Sequence, residues 1–268
     1  MSAKFSTLIY EKANHRALIV LNRPDALNAF DRTMQRELKA AWQMVKEDED
    51  VRVVILTGAG DKAFCSGVDL KDGEDPETKA KKERDPWHHE DAGARLTSKQ
   101  NGVWKPVITA VNGLCNAGAF YFIYDSDIVI ASEGATFFDT HVSYGLVTAL
   151  EPIGLTRRVP LGEVLRIALV GGDERVSAKR AYEIGLVSEV VLQAELMPAA
   201  ERLAASIASH PPIAVQGTVK AIWSGLDVGR KQALELGELY PRVGNTPEAL
   251  KQLHEKLARK DKPKWRLR

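Results

Sequence analysis

PVITAVNGLCNAGAFY, residues Pro106 to Tyr121, decides how the chain is read. PVITAV is an uncharged, β-branched run of strand length, Asn112-Gly113 is a turn signal, and NAGAFY opens a core helix. Around Gly118 the side chains shrink almost to bare backbone, and Tyr121 follows one helical turn later. Small residues at a strand-to-helix turn let a ligand approach the main chain closely. The first N–H groups of a helix lack internal partners and carry partial positive charge. Pro106 to Tyr124 carries no formal charge, which raises the question of a membrane span. Asn112, Gly113, Asn116 and Gly118 interrupt it, so the stretch reads as strand, turn and core helix.

The same order extends outward. TLIYEKA and ALIVLN read as strands with a break at Asn14-His15-Arg16, and NRPDALNA as a loop in which Pro24 disfavours further strand. From Asp31, a natural N-cap, Met34, Leu38, Ala41, Trp42 and Val45 recur at helical spacing. VRVVILTG is a buried strand ended by Gly58 and Gly60, loop 58–70 follows, a helix is expected near 92–103, and SDIVIAS is a further strand. Strands alternating with helices indicate an α/β fold with crossover connections and parallel pairing. Beyond Pro152, helical spacing runs through Leu161–Val170, Ser177–Ile184, Pro198–Ser209, Pro212–Ser224 and Pro247–Arg259, with GLVSEVV (185–191) as a short strand. The expected division is an α/β core over 1–195 and a C-terminal helical region over 196–268 that serves oligomerisation.

Length and composition set bounds. A chain of 268 residues, 44% hydrophobic and 27% charged, has the make-up of a globular enzyme. A net charge of +1 gives no reason to expect nucleic acid or an anionic membrane as partner, although the tail KLARKDKPKWRLR is locally basic. Cys65 and Cys115 lie in apolar stretches, as buried free thiols of a reducing compartment do, and neither has metal-ligand spacing. No apolar signal-peptide core opens the chain, so a cytoplasmic protein is expected. Lys71 to Asp91 is dense in charge and reads as a solvated loop or as a flap beside a site, with His88 and His89 facing solvent.

AFCSGVDL (63–70) and VNGLCNAGA (111–119) belong together. Each follows a buried strand and offers backbone amides at a small-residue turn, and two such donors converging on one oxygen make an oxyanion hole. Ser66 as the nucleophile of a Ser-His-Asp hydrolase is the weaker reading, because SGVDL lacks the glycines of a nucleophile elbow.

LNRPDALNAF (21–30), AFCSGVDL (63–70) and AVNGLCNAG (110–118) resemble the signature stretches of the crotonase superfamily, the enoyl-CoA hydratase/isomerase family. The likeness continues in order through GDERVSAKRAYEIGLVSEVV (172–191), PPIAVQGTVKAI (211–222) and EKLARKDKPKW (255–265). The resemblance implies a ββα superhelix with a C-terminal helical region, assembled as homotrimers or homohexamers. It also implies an acyl-CoA thioester as substrate, in fatty-acid or related lipid metabolism, with no resident cofactor or metal. On it, the N–H groups of Ser66 and Gly118 are the oxyanion donors. CoA lies along Asp25, Ala26 and Leu27 and across Gly67, Val68, Asp69 and Leu70.

The chain departs from the family pattern at the acid and base. Hydratases of the family carry one glutamate three residues after the oxyanion glycine, where this chain has Tyr121, and a second where it has His141. In an extended TFFDTHV run, Asp139 and His141 share a face about 6–7 Å apart, placed to activate water or take an α-proton. The resemblance also places Glu151, in TALEPIGL, where some members of the family keep an acid or base entering the same pocket, and alone it would suit an isomerase, which needs one shuttle for one proton. Tyr121 forms wall or donates a hydrogen bond, and Asp69 holds its loop. Trp87, Trp104 and Phe120 are candidates for an acyl pocket. Besides hydration or isomerisation, the substitutions leave open a C–C bond (β-diketone) or thioester hydrolase and a non-catalytic acyl-CoA-binding scaffold.

Overall fold

β1 (Leu8–Ala13) and β2 (Arg16–Leu21) form an antiparallel hairpin turned at Asn14 and His15, whose φ values are 51° and 62°. Positive φ at both central residues matches the right-handed twist of the strands they join. The computed structural model describes residues 5–72, 80, 83–85, 87, 91, 93–258 and 265–267. His88 and His89 lie outside the described residues.

Helix α1 (Arg32–Glu47) starts where Asp31 accepts the Met34 amide at 2.7 Å. It buries Met34, Leu38, Ala41, Trp42 and Val45, the stripe expected from spacing. Each large apolar side chain so buried contributes about 1.5–3 kcal/mol. The far end of α1 is closed by Lys105, whose ammonium donates to the Val45 and Asp48 carbonyls at 2.6 and 2.7 Å. A cation there complements the helix dipole.

Three strand pairs follow: β3 (Val53–Gly58) with β4 (Ala63–Cys65), β5 (Val107–Val111) with β6 (Leu114–Asn116), and β7 (Ile128–Ser132) with β8 (Thr136–Phe138). The first member of each pair enters a six-stranded sheet ordered β1-β2-β3-β5-β7-β10, with β10 at Glu189–Val191. The second enters a four-stranded sheet ordered β4-β6-β8-β9, with β9 at Val176–Ser177. β2, β3, β5, β7 and β10 pair in parallel, and so do β4, β6 and β8. One strand per repeat in each of two sheets is the ββα superhelix expected of this chain.

Alternation sorts the larger sheet's side chains onto two cores. Val54, Leu56, Val107 and Val111 face the core that holds α1. Val53, Ile55, Ile108 and Ala110 face α6 (Leu196–Ala208) through Leu196, Ala199, Ala200, Ala204 and Ala208. A face made mostly of alanine brings that helix close to the sheet. The chain accordingly divides into compact units 1–210 and 211–268, whereas the sequence reading places the boundary at 195.

Between the strands lie α2 (Phe120–Tyr124), α3 (Leu150–Leu155), α4 (Leu161–Val170) and α5 (Ala178–Glu183). The second unit contains α7 (Pro212–Leu226), α8 (Arg230–Gly237), α9 (Leu239–Gly244) and α10 (Pro247–Ala258). The helix expected near 92–103 is absent among its described residues, which form turns. Arg95 and Gly102 have φ of 66° and 65°, which a right-handed helix excludes. That segment is held instead by Trp42, whose indole N–H donates to the Leu96 carbonyl at 2.7 Å. Among the described residues no helix is long and apolar enough to cross a membrane.

Candidate active site

The three short strands β4, β6 and β8 set the site. Cys65 pairs in register with Cys115, and Cys115 with Phe137. Three residues beyond each partner the chain reaches Val68, Gly118 and Thr140, so positions far apart in sequence arrive at adjacent loops. Asn116 ties these loops, donating from Nδ2 to the Ser66 carbonyl at 3.3 Å and to Thr140 Oγ1 at 3.2 Å.

The amides of those loops are not equivalent. Ser66 N–H donates to the Leu27 carbonyl at 3.1 Å, so the donor role implied for Ser66 is corrected: its proton is already taken. Phe30 N–H donates to the Gly67 carbonyl and Asp69 N–H to the Phe30 carbonyl, at 2.9 and 3.0 Å, in a parallel bridge between Phe30 and Val68. In that pattern the intervening N–H, on Val68, points away from Phe30. Neither Val68 N–H nor Gly118 N–H has an acceptor among the described residues. Gly118 is buried, and a buried unpaired donor costs about 1–3 kcal/mol unless a ligand or water satisfies it.

Each of these two amides follows a residue in the left-handed region, Gly67 at φ 94° and Ala117 at φ 50°. Such a conformation is unusual for alanine and marks a constrained turn. The two turns touch. A Cβ on Gly67 would lie 3.1 Å from Gly118 N, and one on Gly118 would lie 2.9 Å from the ring of Phe30. A side chain at either position would crowd its neighbours, and at Gly67 it would also strain the backbone.

Beside Val68 is an open cleft of about 630 Å³ lined by Asp25, Ala26, Leu27, Ser66, Val68, Asp69 and Leu70, with Arg23, Lys71 and Asp72 as further charged lining. It brings together the two stretches implied to bind CoA, except Gly67, which does not line it. Asp69 accepts from Arg23 at 2.8 Å and from the Lys71 amide at 3.0 Å. The Arg23 hydrogen bond holds its carboxyl below the usual range, so Asp69 secures its loop as a carboxylate.

The Asp139–His141 partnership is real, but the extended run is not. β8 ends at Phe138, and His141 has helical backbone angles at the start of a 3-10 turn. Asp139 Oδ1 accepts from the His141 amide at 2.9 Å and meets His141 Nδ1 at 2.6 Å, a contact made through a turn rather than two strand positions apart. Thr148 donates to the other carboxylate oxygen at 2.9 Å. The Asp139 hydrogen bond raises the imidazole pKa. Burial alone would raise the Asp139 carboxyl, but the hydrogen bonds and charge of His141 together with the Thr148 hydrogen bond outweigh it and lower it.

The pair therefore stabilises the fold between the depressed Asp139 pKa and the raised His141 pKa; below the first and above the second its contribution is lost. Asp139→Asn is expected to bring the His141 pKa down toward its ordinary 6.5 or lower, measured by NMR titration of the imidazole. An unmoved titration would mean that the carboxylate does not hold the imidazolium.

Glu151 sits in the first turn of α3, which packs on α2, and is only 7% exposed. Burial raises its pKa, partly offset by its own amide and the charge of His141. Tyr121, 3% exposed on α2, donates to Asp91 Oδ1 at 2.8 Å. Trp87 is 92% exposed and Phe120 fully buried in the core, so neither is placed as acyl-pocket lining, and Trp104 packs under the Lys99 ammonium. Sequence reasoning misses Val68 as a donor and Asp91 altogether. The bridge to Phe30 that frees the first is a contact between distant segments, and nothing local to Asp91 signals the second.

Comparison with known proteins gives a consistent result. The sequence profile described as Enoyl-CoA hydratase/isomerase matches residues 11–265. An (E)-benzylidenesuccinyl-CoA hydratase of Thauera aromatica is 36% identical over 235 residues, covering 87% of each chain. A short-chain-enoyl-CoA hydratase of Clostridium acetobutylicum is 31% identical and covers 86% of each. The crystal structure of an enoyl-CoA hydratase/isomerase from Mycobacterium paratuberculosis superposes with a TM-score of 0.84 at 41% identity, over 99% of this chain and 100% of that one.

Proposed function

The chain belongs to the enoyl-CoA hydratase/isomerase family of acyl-CoA-processing enzymes, and from that premise we propose that it hydrates or isomerises an enoyl-CoA thioester through an enolate. The observation that carries the reading is the pair of unpaired amides, Val68 and Gly118, on touching left-handed turns. A thioester oxygen gripped by both gains charge as the enolate forms, and each donor lowers that barrier by about 2.7–4 kcal/mol. The cleft along Asp25–Leu27 and Val68–Leu70 takes the CoA moiety, its exposed Leu27, Val68 and Leu70 meeting the apolar parts and Lys71 a phosphate.

Glu151 handles the proton at the carbon beside the carbonyl. Burial raises its pKa, the direction that suits a carboxyl acting as general acid or base. The Asp139 hydrogen bond favours the charged form of His141, and that charge lowers the Glu151 pKa. Hydration is the first reaction to test, since similar chains carry hydratase names. Enoyl-CoA thioesters of graded length should lose their conjugated absorbance on mixing with the protein. Silence at every length would overturn the reading.

The Asp139–His141 couple favours a second reading, hydrolysis of a C–C bond or thioester with His141 activating water. β-Ketoacyl-CoA or cyclic diketone turnover that His141→Ala abolishes would support it, and turnover that the substitution leaves intact would end it. Tight acyl-CoA binding by calorimetry with no turnover of any thioester would instead mark a scaffold. Residues 211–268 leave Ile222, Leu234, Val243 and Leu257 exposed, and we assign that unit to contacts between copies in a trimer or hexamer.

A further inference from the structure

Two contacts fasten the helix that carries Glu151 to the helix that leaves the Gly118 turn. α2 runs from that turn and ends at Tyr124. On α3, Gly154 lies three residues after Glu151, and positions three apart share a helix face. A Cβ on Gly154 would fall against Cδ1, Cγ and Cε1 of the Tyr124 ring, closer than non-bonded carbons come. The ring therefore rests on α3 backbone, one turn from Glu151. Beyond the end of α3, half-buried Arg158 turns back: its Nε donates to the Tyr124 carbonyl at 3.1 Å and its Nη2 to the Ser126 carbonyl. A guanidinium at the last carbonyls of a helix satisfies groups that the helix leaves open and complements its dipole.

The two sides of this joint are not held equally. Thr97 donates to Asp125, and Asp127 accepts from Lys99 at 2.9 Å and from the Val107 amide at 2.7 Å, which ties the 124–127 loop to its neighbours. α3 leaves Leu150 and Ile153 45% and 63% exposed. Bulk added between the two helices accordingly displaces α3, and Glu151 with it. Resting on the assignment of proton transfer to Glu151, we propose that Tyr124 and Arg158 are positioning residues, which set the place of Glu151 relative to the Gly118 amide by clamping α3 onto the end of α2. Both act through Glu151. The clamp is steric at Tyr124 and hydrogen-bonded at Arg158, so each half can be broken separately.

The test uses the full chain, an enoyl-CoA substrate and a saturated acyl-CoA. Gly154→Ala adds one methyl against the Tyr124 ring, while alanine otherwise favours the helix. A reacting group misplaced by about 1 Å costs about 10²-fold, so kcat should fall by about that factor, with calorimetric affinity for the saturated acyl-CoA within about twofold of wild type. A displaced Glu151 is better solvated, so the limb of the kcat/KM–pH profile that reports it should move down toward the ordinary 4.5. The double variant Gly154→Ala/Tyr124→Val moves bulk across the joint instead of adding to it, and should regain about tenfold in kcat and return the limb. Arg158→Lys keeps the charge but loses the planar fork, and should lower both kcat and the limb; it decides the matter if Gly154→Ala fails to fold. A merely structural defect would lower the folded fraction and leave the limb in place. Folded Gly154→Ala or Arg158→Lys enzyme with wild-type kcat and an unmoved limb would overturn the clamp, as would a double variant no faster than Gly154→Ala. Inactivity of Glu151→Gln beside such a result would leave the Glu151 assignment standing. A fully active Glu151→Gln enzyme would overturn that assignment and the clamp together.

Discussion

Gly67→Ala is expected to lower kcat/KM on the preferred enoyl-CoA by about 10²–10³-fold, the loss of one oxyanion donor. Two effects act at this residue. Its φ is 94°. A left-handed backbone costs an L-amino acid about 1–2 kcal/mol, which a domain of ordinary stability survives. The added Cβ falls 3.1 Å from Gly118 N and 3.1 Å from the Asn116 carbonyl, on top of one proposed donor and one residue before the other. The fall should appear mainly in kcat, because a group that acts on developing charge matters most in the transition state. Ser66→Ala is the control. Its N–H remains bound to Leu27 and its hydroxyl makes only a 3.4 Å contact with the Ala26 carbonyl, so activity should change by no more than about twofold. Steady-state kinetics beside a thermal melt separates the cases. An active, folded Gly67→Ala enzyme would remove these amides from the mechanism.

Glu151→Gln is expected to cut kcat by about 10²–10⁴-fold, the range for a positioned acid or base, with KM little changed. The same substitution should raise the melting temperature near neutral pH. The sign follows from burial, which raises the folded-state pKa of Glu151 above its ordinary 4.5. The unfolded chain then ionises first as pH rises, and stability is lost as pH climbs from about 4.5 through the folded-state value. Glutamine carries no such penalty, so the variant should gain most on the alkaline side of that window and nothing below it. Lower activity with higher stability is the exchange expected of a functional buried charge. Equal melting temperatures across the range would mean that Glu151 is better solvated than its 7% exposure implies.

Much of the first unit is legible in the chain because its signals are local. VVILTG is buried at all six positions, as a parallel strand must be, and α1 keeps the stripe and cap that its spacing and Asp31 announce. Leu161–Val170 runs between the residues read for it. Where distant segments decide, local signals fail. Turns replace the helix near 92–103 because the segment is tied by its Leu96 carbonyl to Trp42, and two of its residues take positive φ. Ser66 and Val68 lie two positions apart in one loop and look equivalent as amide donors. Only the pairing with Phe30 and Leu27 shows which proton is spent. Asp139 and His141 are read as neighbours for the wrong reason, since chain reversal, not pleating, unites them.

Stacking β4, β6 and β8 in parallel has a further consequence. Neighbouring strands repeat at about 4.8 Å, so the separation of the loops that follow them is set largely by the sheet, with Asn116 tying them. On the proposed reading, the carbonyl anchor is thereby insulated from mutation at 121, 141 and 151. Those three positions can drift and redirect the chemistry while the anchor stays put, so descendants of one scaffold can part company in what they catalyse without first relearning how to hold the molecule.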